Sequence, residues 1–173
     1  KYYMKILAVQ SRMGIGDTVI FLPFIKALSK KFNSPISILV KENSKANQYL
    51  HQTNYIDKIL ILERDNKTTN RHSGFFGIFN LANDLKKHKF DKIFIFNSSL
   101  RFNLIAKISG IPKIYQYPLF TKTKQHITEV PKKFLKTNLD LDVNEDPEVQ
   151  VDNHLISTAV QKFQIDKNKI NIL

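Results

Sequence analysis

Residues 10–23, QSRMGIGDTVIFLP, set two glycines and an aspartate (Gly14, Gly16, Asp17) between one apolar run and the start of another. Three chemistries fit that spacing. Gly14-x-Gly16-x-x-Val19 is a partial dinucleotide fingerprint, with Glu42 in place to bind a ribose. It lacks the third glycine that allows close helix–strand packing. A Walker phosphate loop is excluded, because no Gly-Lys-Ser/Thr follows. In the third chemistry the glycines let the backbone approach a substrate while Asp17 faces it as a general base. A structural role competes with all three. Aspartate just before an apolar-periodic run is a preferred helix N-cap, worth about 1 kcal/mol over alanine.

The arginines point to the same region. The chain carries 23 lysines and four arginines, Arg12, Arg64, Arg71 and Arg101, and each arginine follows an apolar run. A guanidinium pairs with phosphate or carboxylate through two parallel hydrogen bonds, which an ammonium cannot imitate. Their placement predicts an anion-binding rim, with surface ion pairs as the alternative use. The absence of cysteine rules out disulfides and thiolate metal sites. No metal site is expected.

The net charge of +12 is spread along the chain as lysine, with no block that reads as a nucleic-acid tail. Nucleic acid is not an expected partner, whereas anionic small molecules and acidic lipid surfaces are. The longest apolar run, residues 19–25, contains Pro23 and is far shorter than a membrane span. The aromatic GFFGIFNL (74–81) has the composition for peripheral membrane contact, but burial by helix packing is the expected reading.

These residues need a scaffold, and the periodicity supplies one. KILAV (5–9), ISILV (36–40), KILIL (58–62), KIFIF (92–96) and KIYQY (113–117) look like strands covered on both faces. Helix-period segments lie between them at 17–32, 44–51, 75–87 and 101–108, and further helices are expected at 126–137 and 153–163. Alternation of this kind predicts an α/β fold, a Rossmann-like, doubly wound parallel sheet. Its ligands bind beyond the carboxyl ends of the strands. Residues 1–140 are expected to form this domain and the acidic 141–152 a linker. Residues 153–173, ending in the strand-like KINIL, are expected to begin a second domain.

KILAVQSRMGIGDTVIFLPFIKALSKKF resembles the opening of bacterial heptosyltransferases, glycosyltransferase family 9, with a Gly-Asp loop and a proline six residues on. YIDKILIL, FDKIFIFNSSLRFNLIAKISGIPKIYQY and HITEVPKKFL resemble later blocks of that family in the same order. The resemblance covers residues 5–173 and implies the N-terminal, acceptor-binding half of a GT-B enzyme. It implies an inverting sugar transfer with Asp17 as general base. The donor would be a nucleotide sugar such as ADP-heptose, held by a C-terminal domain, and no resident cofactor is needed. The acceptor would be an anionic glycolipid or saccharide of the lipopolysaccharide core. Arg12, Gly14, Gly16, Thr18, Arg64, Arg71, Ser99, Arg101 and His126 would line its site. Cytoplasmic location, at the inner face of the membrane, is implied with it. Gln10 stands where the family usually has a basic residue. Two other classes fit the residues less fully: a nucleotide-binding oxidoreductase or epimerase, and a non-catalytic module binding anionic glycans.

Overall fold

The computed structural model describes residues 3–12, 14–64, 70–119, 127–151 and 153–163. The elements run β1 (Ile6–Val9), α1 (Ile15–Phe32), β2 (Ile36–Lys41), a 3₁₀ turn (Glu42–Ser44) and α2 (Ala46–Tyr49). They continue with β3 (Ile56–Leu62), α3 (Phe76–Lys86), β4 (Lys92–Ile95), α4 (Leu100–Ile108), β5 (Lys113–Gln116), α5 (Glu129–Leu139) and α6 (Asn153–Lys162). All strand pairs are parallel, in the order β3-β2-β1-β4-β5. The sheet is the expected Rossmann-like one. KINIL lies outside the described residues.

Parallel strands need crossover helices, and those helices fall on both faces of the sheet. The alternation in β1 records this directly. Ile6 and Ala8 join one core with Phe21, Leu22, Phe24 and Leu28 of α1 and Phe134 and Leu135 of α5. Leu7 and Val9 join the other with Ile78, Leu81 and Leu85 of α3 and Phe102 and Ile105 of α4. A side chain of this kind contributes about 1.5–3 kcal/mol when fully buried, so the two cores account for the continuous apolarity of the central runs.

The edge strands differ from expectation. β3 is only partly covered, as is β5, because each has a neighbour on one side alone. In β3 the register with β2 shifts between Ile36 and Ile38, and Ser37 Oγ donates to Asp57 Oδ2 there at 3.1 Å. The expected 44–51 helix shortens to four residues, since Lys45 turns the chain through a left-handed conformation at φ 52°. Helix α1 continues through Pro23, whose missing N–H leaves the Val19 carbonyl without its helical donor. Pro23 is itself buried.

Candidate functional site at the carboxyl edge of the sheet

Strand order reverses between β1 and β4, and the carboxyl end of such a switch point is where open parallel sheets generally bind their ligands. The chain after β1 carries Gln10, Ser11 and Arg12, and the chain after β4 carries Asn97 and Ser99. A polar network joins the two. Asn97 Nδ2 donates to Ser11 Oγ at 3.1 Å, and Asn97 Oδ1 accepts the Ser99 N–H at 2.9 Å. From β5, Gln116 Nε2 donates to the carbonyls of Asn97 and Ser99 at 3.1 and 2.9 Å. Asn103 of α4 closes the network on Gln116 Oε1 at 2.8 Å. Asn97, Asn103 and Gln116 escape a reading of the sequence, because Gln116 meets the other two across 19 and 13 residues and such a pairing carries no local signature.

The structure overturns the N-cap reading of Asp17. Helix α1 starts at Ile15, and its N-cap is Gly14, with φ 100° and ψ 164°. Only glycine adopts that conformation without strain, so the turn fixes the helix start two residues earlier than the aspartate. Asp17 is the third helical residue, in the first turn, and half-buried. Its carboxylate takes part in no hydrogen bond or ion pair among the described residues. The helix dipole favours a negative charge there. Thr18 does not line the rim. It is 3% exposed, and its hydroxyl donates to the Gly14 carbonyl at 3.1 Å.

Gly16 is exposed beside Asp17, and an added Cβ would meet no atom within 4 Å at either Gly14 or Gly16. Arg12 is exposed, and its backbone N–H is held by Gln10 Oε1. Gln10 is 4% exposed, and its Nε2 has no hydrogen-bond partner among the described residues. The Tyr117 hydroxyl is likewise buried without a partner, and burial drives its pKa far above that of a free tyrosine despite the opposing charge of Arg12.

The remaining arginines diverge in use. Arg71 pairs with Asp84 at 2.9 Å, and Arg101 donates to the carbonyls of His72 and Gly74 at 2.6 and 2.7 Å. Arg64 follows β3 and is half-buried. Ser99 is the N-cap residue of α4, in extended backbone, without a side-chain capping bond. His126 lies outside the described residues.

A second constellation, unmarked in the sequence, holds the β3–α3 connection. His72 is 4% exposed, its Nδ1 accepts the Glu63 N–H at 3.0 Å, and its Nε2 sits 3.2 Å from Asp84 Oδ2. The Glu63 bond makes Nδ1 the acceptor, which leaves Nε2 to carry the proton toward Asp84 in the neutral ring. Burial raises the pKa of Asp84, but hydrogen bonds from Lys87, His72 and Arg71 outweigh it and hold the group below its usual value. A groove of about 460 Å³ lined by Lys26, Lys30, Asn33, Asn54 and Tyr55 lies at the opposite, amino end of the sheet. No cluster of three or more His, Asp or Glu among the described residues is arranged to hold a metal ion.

No protein-family model matches the sequence, and no curated protein matches it. Solved structures do. A family 9 glycosyltransferase from Veillonella parvula DSM 2008 is 17% identical at a TM-score of 0.73, covering 97% of this chain and 52% of that one. E. coli ADP-heptose lps heptosyltransferase II is 16% identical at a TM-score of 0.61, over 95% and 52% of the two chains. E. coli heptosyltransferase WaaC with ADP is 13% identical at 0.53, over 91% and 53%. The chain therefore spans about half the length of the structures it resembles. At these identities the likeness is one of fold: the chain has the Rossmann-like architecture found in about half of a solved family 9 glycosyltransferase.

Proposed function

We propose that the chain is the acceptor-binding half of a heptosyltransferase-like enzyme of glycosyltransferase family 9. The donor is a nucleotide sugar of the ADP-heptose type, bound by a second half, and the acceptor is an anionic glycan of the lipopolysaccharide-core class. The reaction takes place on the cytoplasmic side of the membrane. One observation carries the reading. Asp17, a carboxylate without a protein partner among the described residues, stands in the first turn of α1 at the carboxyl edge of a sheet with this fold.

In the proposed step the acceptor hydroxyl oxygen attacks the anomeric carbon from the face opposite the leaving group. The new C–O bond forms as the bond to the nucleoside diphosphate breaks, and that group departs with the electron pair. The hydroxyl proton passes to Asp17. A carboxylate serves as base here because it takes the proton late, once the oxygen is bonding to carbon. Exposed Arg12 supplies positive charge for the acceptor's anionic groups.

The test is Asp17→Asn in a protein containing both halves, with ADP-heptose and a lipopolysaccharide-core acceptor. Loss of a general base is expected to lower kcat about 10²–10⁴-fold. Stability is expected to change by less than about 1 kcal/mol, the scale of one charge at a helix N-terminus. A variant that transfers sugar at the parent rate overturns the role of Asp17.

A further inference from the structure

We infer that the N-terminal ends of α3 and α4 form a docking surface for an anionic lipid bilayer. Helix packing should have hidden the aromatic run at 74–81, and it hides only Gly77, Ile78 and Leu81. Phe75, Phe76 and Phe79 are 67%, 79% and 42% exposed. Their rings pack on one another, with centroids 6.0 Å apart for Phe75–Phe76 and 5.5 Å for Phe75–Phe79. Beside them α4 exposes Leu100 and Leu104. The two helices are stitched together at this end, because Arg101 in the first turn of α4 donates to the Gly74 carbonyl just ahead of α3. Aromatic and leucine side chains gathered at one end of a helix pair exceed what scattered surface apolar residues require.

Charge selects the occupant. Residues 70–112 hold seven Lys or Arg against two Asp, and Asp84 is already shared by Arg71, His72 and Lys87. Lys86 and Lys107 are exposed and make no ion pair among the described residues. Lys86 follows Phe79 by seven residues, roughly 10 Å along the helix axis. That spacing puts ammonium groups at phosphate level when the rings reach the acyl boundary, about 5–10 Å deep. A second copy of the same face would bring like charges together, whereas acidic headgroups complement them. The inference stands apart from the transferase reading and would hold if no sugar were transferred.

The test is flotation of the 173-residue chain with phosphatidylcholine vesicles, pure or about one quarter phosphatidylglycerol. The chain is expected to float with the mixed vesicles and to dissociate as salt rises. The triple variant Phe75→Ser, Phe76→Ser, Phe79→Ser, with unchanged circular dichroism, is expected to bind at least about tenfold more weakly. Lys86→Glu with Lys107→Glu is expected to lose the preference for anionic lipid. Failure of the parent chain to bind mixed vesicles overturns the inference, as does a triple variant that binds as well as the parent. Sedimentation showing a phenylalanine-dependent dimer that ignores vesicles overturns it in favour of self-association.

Discussion

The Arg101 guanidinium donates to the His72 carbonyl at 2.6 Å, across 29 residues of sequence, and to the Gly74 carbonyl at 2.7 Å. An arginine whose position suggested anion binding is thus spent largely on backbone oxygens, fixing the turn that leads into α3. The two acceptors are met by separate guanidinium nitrogens, Nη1 for Gly74 and Nη2 for His72, a fork that an ammonium cannot match. Arg101→Lys is expected to destabilise the chain by about 1–2 kcal/mol and Arg101→Ala by about 2–3 kcal/mol, the range for hydrogen bonds from charged groups. Urea unfolding checks both. An arginine held for anion binding alone would leave stability unchanged in either variant.

Gly77 reports on the same turn. A Cβ built at this position lies 2.2 Å from the His72 carbonyl carbon and 2.4 Å from its oxygen, so backbone would have to move. Gly77→Ala ordinarily favours a helix by up to about 1 kcal/mol. Here the overlap is expected to reverse the sign, costing about 1–3 kcal/mol or more. Thermal unfolding would show it. Since Arg101 bonds the same carbonyl, Gly77→Ala and Arg101→Ala are expected to be less than additive, which a double-mutant cycle measures.

Asp84 sets an acid limit on this region. Its folded pKa lies below the ordinary 3.8, because donors from Lys87, His72 and Arg71 offset the burial that would raise it. A carboxylate with a depressed folded pKa contributes stability that is present above the unfolded value and is lost as pH falls through the folded one. The contribution is therefore complete at neutral pH and disappears below about pH 4. Asp84→Asn is expected to destabilise the chain at pH 7 and to flatten the acid limb of its stability profile. Unfolding midpoints measured from pH 3 to pH 7 test this. Parallel profiles for the two proteins would remove Asp84 from the account.

The fold was legible because burial on both faces writes itself into a strand as continuous apolarity, and crossover helices write themselves as a 3.6-residue period. All five described strands fall where those patterns stand. The start of α1 was legible only in part. Asp17 has the residue type of an N-cap, but a glycine three residues earlier, Gly14, in a turn with positive φ decides where the helix begins. The roles of the arginines were not legible, since carbonyl acceptors carry no sequence signal and the partners of Arg101 are set by tertiary approach. His72 was missed for the same reason. Its two partners, Glu63 and Asp84, lie nine and twelve residues away on different elements. The aromatic run at 74–81 was visible, but whether packing would hide it depended on which face of α3 met the sheet.

The acidic stretch after α5 supplies the last prediction. Its composition suggests a linker, yet part of it docks on the domain. Val143 is 4% exposed and belongs to the core formed with α1 and α5, and Val149 packs against that core. Glu145 bridges Lys26, at 2.9 Å, and Lys30, and Gln150 Oε1 accepts the Asn54 N–H at 3.2 Å. The visible feature is the charge pair, but magnitude assigns the hold to the valine. Exposed ion pairs contribute about 0–1 kcal/mol and are screened by salt, whereas truncating a buried aliphatic side chain costs more and does not respond to salt. Val143→Ala is expected to cost about 1–3 kcal/mol at any ionic strength. Glu145→Gln is expected to cost less than about 1 kcal/mol, vanishing at high salt. Protease cleavage within 141–151 should accelerate strongly in the valine variant and only slightly in the glutamine one. If the order were reversed, electrostatics rather than apolar burial would hold this segment and set the direction in which the chain leaves toward α6.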